Sequence, residues 1–287
     1  RLGVARVSAP RWAWVVPALM VVLAGILRFV YLAHPNAIVF DETYYAKDAY
    51  SYLHYGYELN WTKEANGTFV AGSPSGLLTD SPEYVVHPPL GKWMIAAGMA
   101  IFGDNNPFGW RFSAALIGTL SVALVAYAAW LLFRSMTVAT IAAILASVDG
   151  LMFVESRLAL LDIFQMFWIL ATFVCLLLDR QTARRRLAAN VMKIVDAHGE
   201  SGLQKVVFGP GSGLHLWRLA AGICAGAAVA VKWNSLFFIA AMGVLTVFWD
   251  MNARRILGLK NWGLVALIRE GIPAFIQMIG VGLIVYL

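Results

Sequence analysis

Between Trp14 and Ala33 the chain runs for twenty residues with Arg28 as the lone charge. About twenty apolar residues are what a helix needs to cross a bilayer. Comparable runs recur at Trp110–Phe133, Thr137–Val154, Leu158–Leu178, Leu214–Val231, Ser235–Trp249 and from Ile272 onward. Charged residues make up 13% of the sequence, against roughly 25% in a soluble domain. Within hydrocarbon each backbone polar group must be satisfied by its own segment, so runs of this length become helices. The expected fold class is all-α: a polytopic integral membrane protein of about seven transmembrane spans, treated as one membrane-embedded module over residues 1–287.

The charges between the runs alternate in sign. Arg1, Arg6 and Arg11, then Arg134, then Arg180, Arg184, Arg185 and Arg186, then Arg254, Arg255 and Lys260 fall on one side. The segment His34–Gly109 on the other side holds three Lys against eight Asp and Glu. An excess of Lys and Arg marks the cytoplasmic side. The net charge of +6 therefore describes topology and gives no reason to expect nucleic acid. Residues 34–109 are assigned outside the cell, and the basic stretch 179–213 is assigned to a cytoplasmic loop. GPGSG at Gly209–Gly213 lacks the Gly-Lys-Ser/Thr ending of a phosphate loop and reads as a flexible linker. Gly222 and Gly226 form a GxxxG, read as close helix packing. Cys175 and Cys224 lie in apolar runs and are expected to pack without a disulfide. The start at Arg1 and the apolar end at Ile272–Leu287 suggest a piece of a longer protein, and the first run reads as a retained span.

An outer loop of this length is usually functional. Ala46, Ala49, Tyr50 and Leu53 follow the spacing of one apolar helix face. After Pro88-Pro89, with Pro89 suited to the first helical position, Leu90, Trp93, Ala97 and Ile101 repeat similarly in a segment too short to span, expected to lie in the interface. Two sequons, at Asn60 and Asn66, fall in the same loop.

Ionisable groups near or inside spans are costly and mark cavities or partners. Arg28, Asp41, Glu42, Arg111, Asp149, Glu155, Arg157, Asp162 and Lys232 all map toward the outer face. Each also has a plain structural explanation. Asp41 can cap a helix beginning at Glu42, and Glu42 can sit there for the helix dipole. Arg28, Arg111 and Lys232 can anchor at headgroups. Arg157 and Asp162 are five residues apart, poorly placed to pair with each other, so each is expected to find a partner on another span. His54 and His87 show no HxH or HExxH spacing, which leaves a metal site unsupported and any divalent-cation requirement open.

Five segments in order, LRFVYLAHPNAIVFDETYYAKDAYSYL, VHPPLGKWMIAAG, WRFSAALIGTLS, SRLALLD and AVKWNSLF, resemble the bacterial protein O-mannosyltransferases of the GT-C glycosyltransferase class. The resemblance covers essentially the whole chain, which corresponds to the N-terminal half or somewhat more of a family member. The β-trefoil insertion of eukaryotic members is not found. The basic loop 179–213 is longer than the family pattern, and no role is assigned to it.

The resemblance implies transfer of mannose from a polyprenyl-phosphate-mannose lipid donor to Ser or Thr of secreted proteins. The reaction would occur at the outer face of a bacterial plasma membrane, with membrane lipids and the secretion machinery as candidate partners. It assigns Asp41 as catalytic base and Glu42 as its acidic neighbour; the chemistry adds the expectation that Glu42 orients the loop through Arg28. Arg28, Arg111, Lys232, Asp162, Arg157 and His87 are assigned to the donor phosphate and substrate. The chemistry agrees with this inventory. A hydroxyl nucleophile needs one positioned carboxylate, whereas a phosphodiester leaving group needs positive charge and no general acid. Adjacent Asp41 and Glu42 project in different directions, so they cannot act as acid and base across one bond. Direct displacement would invert the anomeric carbon. Other GT-C enzymes with a different sugar or acceptor, and a transporter, are the alternatives.

Overall fold

The computed structural model describes residues 9–62, 65–72, 78–205 and 208–287; Arg1 and Arg6 of the expected cytoplasmic charge set lie outside them. A turn at Arg11–Trp14 leads into α1 (Val15–Phe29). The following loop carries α2 (Glu42–Tyr55), β1 (Leu59–Trp61), α3 (Ala65–Val70), β2 (Leu78–Pro82) and α4 (Leu90–Phe102). Then come α5 (Pro107–Phe133), α6 (Met136–Val148), α7 (Gly150–Glu155), α8 (Leu161–Lys205), α9 (Leu216–Val231), α10 (Ser235–Ile256) and α11 (Trp262–Tyr286). Among the described residues, five helices are long and apolar enough to cross a membrane: Arg11–Phe29, Pro107–Phe133, Leu161–Gly199, Ser235–Ile256 and Trp262–Tyr286. The fold is thus all-α and multi-pass, with one small addition. β1 and β2 pair antiparallel, Leu59 opposite Pro82 and Trp61 opposite Leu78.

Several boundaries differ from those expected. The run 137–154 is two helices, because the Asp149 carboxylate accepts from Met152 N at 2.7 Å and starts α7 afresh. The basic stretch from Asp179 is no loop over most of its length. α8 continues through Arg180–Arg186, with Ala183, Leu187 and Val191 buried at four-residue spacing, and its backbone leaves helical geometry only at Gly199 (φ 69°). The last helix begins at Trp262 and contains two π-helical segments, Leu267–Gly271 and Ile276–Gly280.

The chain divides into two compact units. In the first, Pro10–Leu170 with Ala228–Trp233, α5 packs against α1, α4 and α6. Fully buried Ala24, Ala114, Ala115 and Ala143 let the helices approach closely, which is how apolar helices gain contact in lipid. Ala46, Ala49 and Tyr50 of α2 are buried as expected, whereas Leu53 is exposed. On α4 the expected apolar face, with Trp93 and Ile101, points outward, and Gly91, Ile95 and Met99 pack inward. Apart from Lys92 this helix is apolar on every face, so its sequence does not single out the side that packs inward. Pro89 stands one position earlier than expected, as the residue before α4. At Gly91 a Cβ would lie 2.7 Å from Leu161 Cδ2 and 3.1 Å from Val231 Cγ1, so a larger residue would make these side chains shift.

The second unit comprises Ala171–Ala227 and Asn234–Leu287. A Cβ on Gly222 or Gly226 would overlap the carbonyl of Gln277 or Gly282, so the GxxxG packs α9 on α11 within the chain. Cys175 and Cys224 are free thiols. GPGSG, expected as a flexible linker, is pinned. Arg254 donates to Pro210 O, Arg269 to Gly209 O at 2.8 Å and Asn190 to Gly211 O at 2.9 Å. A glycine-rich segment offers carbonyls unshielded by side chains, and two arginines and an asparagine use them.

Candidate active site

Every group of this site belongs to the first unit. The turn before α2 places Phe40 in the left-handed region (φ 53°), an uncommon conformation for a bulky residue. It leaves Asp41 and Glu42 facing different surroundings. Glu42 is 0% exposed and its carboxylate accepts four N–H groups. Arg111 supplies two of them, Nε to Oε1 and Nη2 to Oε2, each at 2.7 Å. Val39 N and Ala159 N supply the others, each at 3.0 Å. Arg111, also 0% exposed, gives its remaining donors to the carbonyls of Leu32, Pro35 and Ala37. All five N–H groups of a guanidinium are then in use, leaving none for a phosphate. The loop is therefore oriented by Glu42 through Arg111, not through Arg28. The bidentate fork reaches where a single ammonium could not.

Asp41 is the opposite case. It is half-buried, its carboxylate makes no cap hydrogen bond to α2, and no side-chain hydrogen bond or ion pair engages it among the described residues. It lines a cleft of about 190 Å³. Tyr44, Tyr45 and Asp48 line the same cleft from the next two turns of α2, and Glu83, Tyr84, His87 and Lys92 line it from elsewhere in the loop. Positions 41, 44, 45 and 48 share one helix face. Burial pushes the Tyr45 phenol upward, and Asp41 and Asp162 add to the shift. Burial pushes the His87 imidazole down, and the ammonium groups of Lys232 and Lys92 push it further, against Asp162 and Asp41. Asp41, His87, Asp162 and Lys232 thus share one electrostatic neighbourhood.

The other expected residues fall into two groups. Lys232 Nζ meets both oxygens of Asp162, at 2.7 and 2.8 Å, and Asp162 is 44% exposed. Arg28 and Arg157 instead serve the membrane exit. Arg157 donates to the carbonyls of Leu27, Arg28, Val30 and Tyr31, satisfying the open C-terminus of α1. Arg28 is fully buried, donates to Ala24 O and Ala146 O, lies over the Phe153 ring at 5.7 Å and keeps a buried Nε that finds no hydrogen-bond partner among the described residues. Headgroup anchoring is excluded for Arg28 and Arg111 by this burial.

Sequence reasoning overlooked one part of the site. Lys92, the Lys of HPPLGK, is almost fully buried between Asp48 Oδ2 at 3.0 Å and Glu58 Oε1 at 2.6 Å. Burial raises the Asp48 carboxyl to about 7, with Glu58 and Glu83 adding and Lys92 opposing. A lysine inside an apolar helix, and an aspartate seven residues after Asp41, were the available signals. The sequon side chains are engaged elsewhere, Asn60 Nδ2 donating to Pro82 O at 2.9 Å and Asn66 Nδ2 to Thr43 Oγ1 at 2.9 Å. Among the described residues no three His, Cys, Asp or Glu converge as metal ligands would.

Apolar helices long enough to span a membrane, with a loop that sets a carboxylate beside a cleft, define a multi-pass membrane protein with a candidate site in that loop. The fold matches the Saccharomyces cerevisiae protein O-mannosyltransferase Pmt1-Pmt2 complex bound to the sugar donor, with a TM-score of 0.69 and 21% identity, over 99% of this chain and 34% of that one. The family model "Dolichyl-phosphate-mannose-protein mannosyltransferase" matches residues 18–193, and the chain belongs to that family. It is 36% identical to the polyprenol-phosphate-mannose–protein mannosyltransferase of Mycobacterium tuberculosis over 91% of this chain and 46% of the relative. The Corynebacterium glutamicum protein of the same name is 33% identical over 94% and 49%. The chain spans about half the length of these relatives. A more distant likeness, 31% identity over 59% of the chain, is to the Pseudomonas aeruginosa undecaprenyl phosphate-alpha-4-amino-4-deoxy-L-arabinose arabinosyl transferase.

Proposed function

We propose that the protein transfers mannose from polyprenyl-phosphate-mannose to Ser or Thr hydroxyls of secreted proteins, at the outer face of a bacterial plasma membrane. The observation carrying this reading is the split of the doublet. Glu42 is consumed by four donors, whereas Asp41 faces a cleft and is engaged by no side-chain hydrogen bond or ion pair among the described residues. Asp41 takes the hydroxyl proton as the oxygen attacks the anomeric carbon. The bond from that carbon to the phosphate oxygen breaks, and polyprenyl phosphate leaves. Attack opposite the phosphate inverts the anomeric centre. Lys232, held by Asp162, meets the negative charge that grows on the phosphate, with His87 beside it. Glu42 and Arg111 position the loop, and Arg28 and Arg157 shape the exit of α1.

The likeness to an arabinosyl transferase favours one second reading, the same framework acting on a different lipid-phosphate sugar. Membranes containing the whole protein, given polyprenyl-phosphate-mannose and a Ser/Thr peptide, decide between them. Mannosyl peptide from the parent and none from Asp41→Asn at equal abundance supports the proposal. No transfer of mannose, with transfer of a different sugar from its lipid phosphate, supports the second reading.

A further inference from the structure

We infer that the groove between α10 and α11 holds an acyl chain of an anionic phospholipid, with the lipid phosphate held by Arg255 and Lys260. The groove lies wholly within the second unit and has a volume of about 620 Å³. Val244, Phe248 and Met251 line it from α10, and Leu267, Phe275 and Met278 line it from α11. Val244, Phe248 and Phe275 are more than half exposed, so the groove opens at the surface of two membrane-length helices. Every residue lining it among those described is apolar. Such a wall offers water no hydrogen-bond partner, and in a bilayer the contents that suit it are hydrocarbon. Both π-helical segments of α11, Leu267–Gly271 and Ile276–Gly280, supply wall residues. π-Helical turns inside α-helices are frequent at functional sites.

An acyl chain alone does not choose its lipid, because every tail is as apolar as the groove. Selection has to come from the head, and the charges stand at one end. Positions 244, 248, 251 and 255 share one face of α10. Arg255 is therefore one turn beyond Met251, about 6 Å further along the axis. It is exposed, and among the described residues its guanidinium makes one hydrogen bond, to Asn252 Oδ1 at 3.3 Å. Lys260 follows in the turn to α11, also exposed, with no hydrogen bond or ion pair engaging it among the described residues. Trp262, at the start of α11 and 41% exposed, suits the headgroup level. From Met251 to Arg269 the sequence holds four Lys or Arg and no acid. The flanking acids are taken, Asp250 by Arg218 and Glu270 by Arg254. A phosphate is the charge that this end of the groove lacks.

The test uses the whole protein in detergent, titrated separately with phosphatidylglycerol and phosphatidylcholine of identical acyl chains, bound lipid being counted by native mass spectrometry. Phosphatidylglycerol is expected to bind about tenfold more tightly, each basic residue near the headgroup supplying a factor of a few. That ratio should fall as salt rises. Arg255→Gln combined with Lys260→Gln brings the ratio toward one, and Arg255→Lys preserves it. Gly243 also lines the groove, and a Cβ there would meet nothing within 4 Å. Gly243→Phe should therefore fill the space and remove both lipids with the melting temperature unchanged. Equal binding of the two lipids by the parent, or a ratio indifferent to the double Gln variant, overturns the site. A parent that binds neither lipid, with melting lowered by Gly243→Phe, shows the groove filled by protein and overturns it too. Displacement of phosphatidylglycerol by equimolar polyprenyl phosphate would give the groove to the sugar donor instead.

Discussion

Two buried charge clusters, one in each unit, are built from similar residues and end in opposite states. In the second unit Asp179 accepts from His215 at 2.8 Å and from Arg218 at 2.7 Å, Asp250 accepts from Arg218 at 2.9 Å, and Glu270 pairs with Arg254. Ser212 and His215 close the gaps, and the free space there is about 10 Å³. Each of these acids has a cation, and no room remains for a ligand. In the first unit Glu42 is equally well paired, but among the described residues no hydrogen bond or ion pair engages the Asp41 carboxylate, which lines about 190 Å³ of space. Ser212, His215 and Asp179 even reproduce the contact order of a hydrolase triad, yet Arg218 holds the acid and nothing can reach the serine. Residue types alone do not separate an active centre from a structural lock. Unbalanced charge beside open space does.

Asp41→Asn is the sharpest way to break the comparison. Removing a general base costs on the order of 10²–10⁴ in rate. No side-chain hydrogen bond or ion pair engages the Asp41 carboxylate among the described residues, so thermal stability in detergent should hardly move. A variant that loses its melting transition along with its turnover would make Asp41 structural.

The reverse is expected of Arg218→Ala. Breaking the buried pairs strands Asp250, leaves Asp179 only His215, and costs about 3–5 kcal/mol. Thermal melting should show the loss, whereas any protein that still folds should keep its affinity for the acceptor peptide. Arg111→Ala, which strands Glu42, should cost a similar amount and displace Asp41 as well. Preserved melting in either variant would contradict the pairings described.

How much of this was visible beforehand depends on the range of the interaction. Hydropathy located α1, α5, α9 and α10, because lipid contact is a property of each segment alone. The doublet Asp41-Glu42 stood out for the same local reason. The continuation of α8 was also written locally, in Ala183, Leu187 and Val191, but the basic run Arg180–Arg186 argued for a loop and prevailed. What stayed hidden was partnership. Glu42 and Arg111 are 69 residues apart, and Asp162 and Lys232 are 70 apart. No periodicity links positions across that distance, so Arg28 and Arg111 looked equivalent. Only the fold shows that Arg111 is spent on Glu42 while Arg28 lies under Phe153.

A smaller effect is expected in the pH dependence of stability. The Asp48 carboxyl is raised from 3.8 to about 7 in the folded protein, so the folded state holds this proton more tightly than the unfolded chain. Its contribution is therefore fully present below about pH 4 and is lost as the pH rises toward about 7. Melting temperatures of the parent across that window, compared with Asp48→Asn, should show a downward slope that the variant flattens. An unchanged slope would mean that Lys92 neutralises Asp48 completely, which would bring this cluster closer to its balanced counterpart.

A small change in stability is expected of Asp162→Asn. Its pair with Lys232 lies between the two extremes, one partner 44% exposed and the other 14%. Exposed pairs contribute under about 1 kcal/mol, so melting should shift by a degree or two at most. Catalysis should register more, because an unanchored ammonium still attracts a phosphate but no longer holds it in line with Asp41. The expected signature is a kcat reduced by about tenfold with KM for the lipid donor unchanged or lower, the pattern of an interaction felt in the transition state. A rise in KM with kcat intact would instead make Asp162 a simple donor-binding group. Loss of several degrees in melting would place the pair with Asp179 and Arg218, among the contacts that hold the fold.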